Sequence, residues 1–143
     1  MKKIMILAAI AFFSNAYAAN TVIINNDLLE IKAYMPGAEK VGVIFNPESV
    51  SLTGGAASVK AVALPVSNGP ALVKQSRVML RNVDAIYLMQ GRFVTAEKLA
   101  KMLVKNAKKS GVRIFTNDPA LGHIEGISLI GAAKTVAANT ASP

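Results

Sequence analysis

The chain alternates short apolar runs with segments that have the periodicity of helices. Four runs, at residues 41–45, 59–66, 84–89 and 112–116, are rich in valine, isoleucine and aromatic side chains. Strands buried on both faces have this composition, and parallel sheets contain such strands. A fifth, weaker run lies at residues 127–130. The alternation predicts an α/β fold, a three-layer αβα sandwich with a mainly parallel sheet of four or five strands.

Three segments between or before the runs predict helices. The clearest covers residues 95–110, where Thr95 can cap the first turn and a glycine follows the last turn as a stop. The other two cover residues 71–81 and 26–34. Residues 49–58 predict a short helix or an ordered loop, because two adjacent glycines weaken a helix there.

The predicted helix at residues 95–110 carries a row of lysines opposite its apolar side chains. Such a row can dock an anionic surface, and it can equally be the solvated outer face of a helix. The lysines are Lys98, Lys101, Lys105, Lys108 and Lys109.

The first 18 residues have the three regions of a secretory signal peptide. Met1-Lys2-Lys3 is a basic start, an apolar core follows, and Ala16-Tyr17-Ala18 is a small-x-small cleavage site. Cleavage after Ala18 predicts a periplasmic or secreted protein with a single α/β domain at residues 19–131. Residues 132–143 are then expected to form an edge strand or a flexible tail. The chain has no cysteine, so disulfides do not stabilise this domain.

The sequence carries 16 Lys and Arg residues against 8 Asp and Glu residues, a net charge of +8. This charge is compatible with an anionic ligand or partner, and it also serves solubility alone. No aromatic residue is interleaved with the lysines of residues 95–110, so we do not expect a nucleic-acid partner.

The sequence lacks the signatures of common enzyme classes. Its single histidine, His123, lacks the companion ligands of a zinc site and a positioned partner for acid–base catalysis. There is no cysteine nucleophile, no G-x-S-x-G motif, no Walker loop, and no G-x-G-x-x-G after a strand. We therefore expect a protein that is not an enzyme and that uses no metal or cofactor.

Polar residues follow the predicted strands where those strands end. In open parallel sheets, ligands bind beyond the carboxyl ends of the strands. Arg92 is the most informative of these residues, because its planar guanidinium suits a carboxylate or a phosphate. The alternatives are an ion pair between Arg92 and Glu97, and ordinary turns formed by the other residues. The candidate ligand-binding residues are Asn46, Glu48, Ser49, Gln90, Arg92, Asn117 and Asp118.

Three stretches resemble the substrate-binding proteins of ABC transporters, in the branch with a type-I periplasmic-binding-protein fold. They are "LEIKAYMPGAEKVGVIFNPES", "VDAIYLMQGRFVTAEKLAKMLVKNAKKSGVRIFTND" and "GHIEG", and they cover most of residues 29–131. The resemblance implies a flavodoxin-like single lobe that binds a small polar or anionic solute, with a membrane transporter or sensor protein as partner. Complete family members have two lobes and about twice this length, and the family's acidic residue after the third strand is replaced here by Gln90 and Gly91.

A second resemblance is to small periplasmic proteins that restrain membrane-bound diguanylate cyclases. The segments "VGVIFNP", "DAIYLM", "VRIFTND", "GISLIG" and "AKTVAANTAS" fall in the order typical of these single domains, whereas the cysteines expected there are missing. This resemblance implies a regulatory or adaptor protein that works through protein–protein contacts, with a homodimer as one expected form.

Overall fold

The computed structural model describes residues 20–131, and the predictions for residues 1–18 and 132–143 lie outside this range. The described strands are β1 (Asn20–Ile23), β2 (Lys40–Phe45), β3 (Val50–Thr53), β4 (Lys60–Pro65), β5 (Ala85–Leu88), β6 (Arg113–Thr116) and β7 (Ile127–Leu129). The helices are α1 (Asn25–Tyr34), α2 (Gly69–Met79) and α3 (Glu97–Ser110), with a 3-10 helix at Pro119–Leu121.

Five strands form one sheet in the order β4-β2-β5-β6-β7, and every neighbouring pair in it is parallel. Counted along the chain without β1 and β3, this order is 2-1-3-4-5, the flavodoxin-like order. Each of the five predicted apolar runs coincides with one of these strands to within one residue at either end. The predicted α/β fold with a mainly parallel sheet is therefore confirmed.

Helices cover both faces of this sheet, which gives the domain three layers. Ile86 and Tyr87 are neighbours on β5, and both are fully buried because successive side chains of a strand point to opposite faces. Ile86 lies in the apolar cluster under α2 and α3, together with Leu103. Tyr87 lies in the cluster under α1, together with Leu28. The main sheet thus has an apolar core on each side.

Strands β1 and β3 pair in parallel and form a second, two-stranded sheet, with Asn20 opposite Val50. Leu52 of β3 is fully buried in the same cluster as α1, so the small sheet shares that layer of the domain. The prediction of a short helix or loop at residues 49–58 was therefore wrong at its start. Residues 50–53 have the apolar and β-branched composition of a strand, and the two glycines only follow them.

Helix α3 begins later than the sequence indicated and ends where it predicted. Ala96 is the N-cap and makes no side-chain capping hydrogen bond, so the predicted cap at Thr95 was wrong. At the other end Gly111 adopts a left-handed conformation with φ of 70°, which favours glycine. Within residues 20–131 no helix combines the length and apolarity that crossing a membrane requires.

Candidate functional site

The candidate residues lie in loops that meet at one edge of the main sheet. Its five strands are parallel, so their carboxyl ends share that edge. β2 and β5 are neighbours in this sheet. The strand that follows β2 in the main sheet, β4, lies on one side of this pair, and the strand that follows β5, β6, lies on the other side. This is the topological switch point, the place where open α/β sheets bind ligands.

Asn46 connects the loop after β2 to the loop after β5. Its side-chain amide donates a hydrogen bond to the carbonyl oxygen of Arg92 at 3.3 Å. Its side-chain oxygen accepts a hydrogen bond from the Glu48 N–H at 2.9 Å. Asn46 is only 1% exposed. Both ends of its amide therefore serve the fold, and Asn46 positions the loops instead of facing a solute.

The loop after β5 contains a γ-turn centred on Phe93. The Val94 N–H donates a hydrogen bond to the carbonyl oxygen of Arg92 at 2.7 Å, and the φ angle of Phe93 is 67°. This γ-turn geometry is rare and strained, and positive φ is uncommon for a bulky side chain. Backbone strain of this kind persists only where the surroundings enforce it, and it clusters at functional sites.

Thr95 holds the two ends of this loop together. Its hydroxyl donates a hydrogen bond to the carbonyl oxygen of Gly91 at 3.1 Å and accepts one from the Gly91 N–H at 3.3 Å. A Cβ atom at Gly91 would lie 3.4 Å from the Cβ of Asn46 and 3.7 Å from the Cβ of Ser49, so the loops after β2 and β5 are in direct contact. The segment that carries Arg92 is thus fixed from both sides.

The guanidinium of Arg92 is exposed and lies over the Phe93 ring, 5.4 Å from its centroid. The alternative prediction, an ion pair between Arg92 and Glu97, is wrong. Glu97 instead pairs with Lys101 at 3.1 Å and with His123 at 2.9 Å. The hydrogen bond and charge of Lys101 are the main reason that the pKa of Glu97 lies below its ordinary value. Within residues 20–131 no carboxylate lies at ion-pair distance from Arg92.

The two candidates after β6 use their side chains largely to hold neighbouring loops. The Gln90 N–H donates a hydrogen bond to the side-chain oxygen of Asn117 at 2.6 Å. The carboxylate of Asp118, 7% exposed, accepts one from the Ala120 N–H at 2.9 Å and caps the 3-10 helix. Of the seven candidates, the structure leaves Glu48, Ser49, Gln90 and Arg92 with side chains at the surface of this edge.

Sequence reasoning missed a hydrogen-bonded pair under α1. The hydroxyl of Tyr87 donates to the carboxylate of Asp27 at 2.6 Å. Burial raises the pKa of Asp27, and the hydrogen bond opposes that change. Burial and the Asp27 partner raise the pKa of Tyr87. A carboxyl with a raised pKa can mark a reactive site, but the whole Tyr87 side chain is buried, so this pair joins α1 to the sheet.

Two other features bear on what the domain could bind. Among the described residues, no three His, Cys, Asp or Glu side chains are grouped so that they could hold a metal ion. A shallow depression lies between α2 and α3, with Leu99 and Met102 among its lining residues, and not among the strand-end loops. Its lining is mostly apolar, so it offers little with which to recognise a charged solute.

No protein-family model matches the chain, and no curated protein matches it. Its fold is similar to the crystal structure of a conserved domain protein from Vibrio cholerae, with a TM-score of 0.58 and 13% sequence identity. The similarity covers 82% of this chain and 44% of the other, so the chain spans less than half the length of that structure. Identity this low shows the fold alone, which is that of a flavodoxin-like α/β domain.

Proposed function

We propose that this protein binds a small anionic solute at the switch point between β2 and β5, with Arg92 as its anchoring cation. In this proposal it is an exported, single-lobe relative of the substrate-binding proteins of ABC transporters, and a membrane transporter or sensor protein is its partner. The observation that carries the proposal is the γ-turn at Phe93, which fixes the backbone of Arg92 against the loop after β2. Within residues 20–131 the exposed guanidinium of Arg92 has no carboxylate at ion-pair distance.

The fixed backbone around Arg92 supports binding because it lowers the entropy that ordering the site would cost. A guanidinium also offers a fork of N–H donors that matches the two oxygens of a carboxylate or phosphate. The hydroxyl of Ser49 and the amide of Gln90 are the nearby groups that can add neutral hydrogen bonds. Glu48 puts a negative charge on the same loop as Ser49, which favours a solute that also carries an ammonium or hydroxyl group.

A thermal-shift panel of amino acids, organic acids and inorganic phosphate tests this proposal. A solute that binds only the folded state at about 100 times its Kd adds about 2.7 kcal/mol to the free energy of unfolding. We expect at least one solute to raise the Tm and Arg92→Ala to abolish that rise. Arg81→Ala is the matched control, since Arg81 is also exposed and has no carboxylate at ion-pair distance within the described residues.

Two results contradict the binding proposal. One is a panel in which no solute changes the Tm of the wild-type protein. The other is an equal loss of the shift in Arg81→Ala and Arg92→Ala, because this would trace the effect to net charge and not to the site.

A homodimer acting as an adaptor is the second candidate, and the outer edge of β4 favours it. The backbone N–H of Lys60 donates a hydrogen bond to the carbonyl oxygen of Glu39, and the N–H of Val66 donates one to the carbonyl oxygen of Phe45. Both groups therefore point toward β2. By alternation along the strand, Ala61 and Ala63 turn their N–H and C=O groups away from β2. Two copies of β4 can pair antiparallel through these groups, with Ala61 of one copy opposite Ala63 of the other.

The variant Ala63→Pro tests the homodimer without disturbing the pairing of β4 with β2. Edge strands tolerate proline where the missing N–H would face solvent. If two copies pair through β4, the wild type elutes as a dimer and Ala63→Pro as a folded monomer in size-exclusion chromatography with light scattering. A wild-type monomer at all concentrations tested, or a dimer that persists in Ala63→Pro, excludes this interface.

A further inference from the structure

The positive charge of the described chain is concentrated on two helices. Helices α2 and α3 carry seven basic residues and one acidic residue. The rest of residues 20–131 carries six basic and seven acidic residues. We call the exposed basic side chains of these two helices the basic face. They are Lys74, Arg77, Lys98, Lys101, Lys105, Lys108 and Lys109.

Both helices cover the same side of the main sheet, so the basic face belongs to one layer of the domain. Leu72 of α2 and Leu103 of α3 lie in the same apolar cluster. The five lysines of α3 fall within an arc of about 100° and extend along a helix about 21 Å long. The five therefore form one continuous stripe on the outer side of α3.

The only acidic residue of the two helices is already compensated. Glu97 pairs with Lys101 at 3.1 Å and with His123 at 2.9 Å. In the described part of the chain, the ammonium groups of Lys98, Lys105 and Lys109 have no carboxylate at ion-pair distance. The depression between α2 and α3 adds no acidic group, so Glu97 is the one negative charge among the seven basic side chains of these two helices.

The composition of the basic face favours a lipid surface over a protein partner. Protein interfaces are enriched in aromatic residues and arginine and depleted in lysine. The basic face has six lysines and one arginine, and neither α2 nor α3 contains an aromatic residue. Clusters of four to eight basic residues on a helical surface are typical of binding to anionic lipid headgroups.

We propose that the basic face docks this protein onto an anionic phospholipid surface. The attraction is electrostatic, because seven basic side chains protrude from these helices and Val78 is the one large apolar side chain exposed on them. It uses none of the strand-end residues, and so it stands apart from the proposed solute site. Docking of this kind weakens as salt screens the charges.

Vesicle co-sedimentation tests the proposal with the variant Lys105→Glu/Lys109→Glu. We expect the wild type to sediment with vesicles that contain phosphatidylglycerol and to be released from them by salt. With phosphatidylcholine vesicles, we expect the protein to stay in the supernatant. We expect the variant to lose at least about tenfold in vesicle partitioning. The control Lys60→Glu/Arg113→Glu makes the same change in net charge at exposed residues outside the basic face and should lose far less.

Three results overturn the proposal: no binding to phosphatidylglycerol vesicles, equal binding to phosphatidylcholine vesicles, or an equal loss in the control variant. Circular dichroism confirms that each variant is folded. Arg92→Ala separates the two proposals, because it should abolish the solute-induced Tm shift and leave vesicle binding within twofold or so of the wild type. Apolar residues at the chain's beginning are identical in all variants, so they do not affect the comparison.

Discussion

Asn46 donates a hydrogen bond to the carbonyl oxygen of Arg92 at 3.3 Å, and the same oxygen accepts the Val94 N–H of the γ-turn at 2.7 Å. One carbonyl group therefore joins the strained turn after β5 to the loop after β2. Because Asn46 is buried, this link is shielded from water. The position of Arg92 at the switch point depends on a residue that itself has no free polar group to offer a solute.

Asn46→Ala should lower the free energy of unfolding by about 1–3 kcal/mol, because the Glu48 N–H would lose its half-buried hydrogen bond to the side chain and the Arg92 carbonyl would keep only the hydrogen bond of the γ-turn. Asn82→Ala is the control: Asn82 also donates to a carbonyl, that of Val78 at 2.9 Å, but its side chain is exposed. Urea denaturation measures both variants. Equal losses in the two would mean that the Asn46 link has no special weight.

Phe93→Gly should be more stable than Phe93→Ala by about 1 kcal/mol or more, since only glycine adopts positive φ without a steric cost. Both variants remove the ring, so their difference isolates the backbone strain. At an ordinary helical position the order is reversed, and Ala33→Gly in α1 should cost about 1 kcal/mol. If Phe93→Ala is the more stable of the two in urea denaturation, the turn is not strained.

Tyr87→Phe should lower the free energy of unfolding by about 1–3 kcal/mol, because it leaves the half-buried carboxylate of Asp27 without its hydroxyl donor. The measurement is a double-mutant cycle with Asp27→Ala, which removes the hydrogen-bond acceptor, in urea denaturation. Most of the loss on Tyr87→Phe should depend on the presence of the Asp27 carboxylate. Additive effects of the two substitutions would show that the hydrogen bond contributes little.

The free energy of unfolding of the Asp27→Asn variant should increase relative to that of the wild type as pH rises. The pKa of Asp27 is raised from its ordinary value of 3.8, so the contribution of its protonated form is complete below that value. This contribution is lost as pH rises through the raised pKa, whereas asparagine keeps a hydrogen-bond acceptor without a charge. Unfolding free energies measured between about pH 3 and pH 7 should show the difference growing, and a constant difference contradicts the raised pKa.

The five strands of the main sheet could be predicted because they are mostly apolar along their length. The central strands β2 and β5 are buried on both faces, whereas the edge strand β4 is only half-buried. Strands β1 and β3 were missed. β1 lies just after the predicted cleavage site at Ala18, and β3 precedes the two adjacent glycines that favoured a short helix or a loop at residues 49–58. The seven candidate residues do lie at one edge, which follows from parallel strands. Whether each faces a solute depends on tertiary neighbours, and Asn46 and Asp118 turned out to be buried.

The conformation of Phe93 left no trace in the sequence. Glycine or asparagine normally marks a position with positive φ, and neither stands there. The turn exists because Thr95, Gly91 and Asn46 hold the chain around it. From the sequence, Thr95 was predicted to cap a helix and Asn46 to bind a ligand, and neither was predicted to hold this turn.

Native mass spectrometry of the gently purified protein tests the central claim most directly, because it reports bound solute and oligomeric state together. We predict a protein that carries a small-molecule adduct, with the adduct retained in Arg81→Ala and lost in Arg92→Ala. A wild-type protein without any adduct, also after addition of each solute of the panel, would contradict the claim that Arg92 anchors an anion at the switch point.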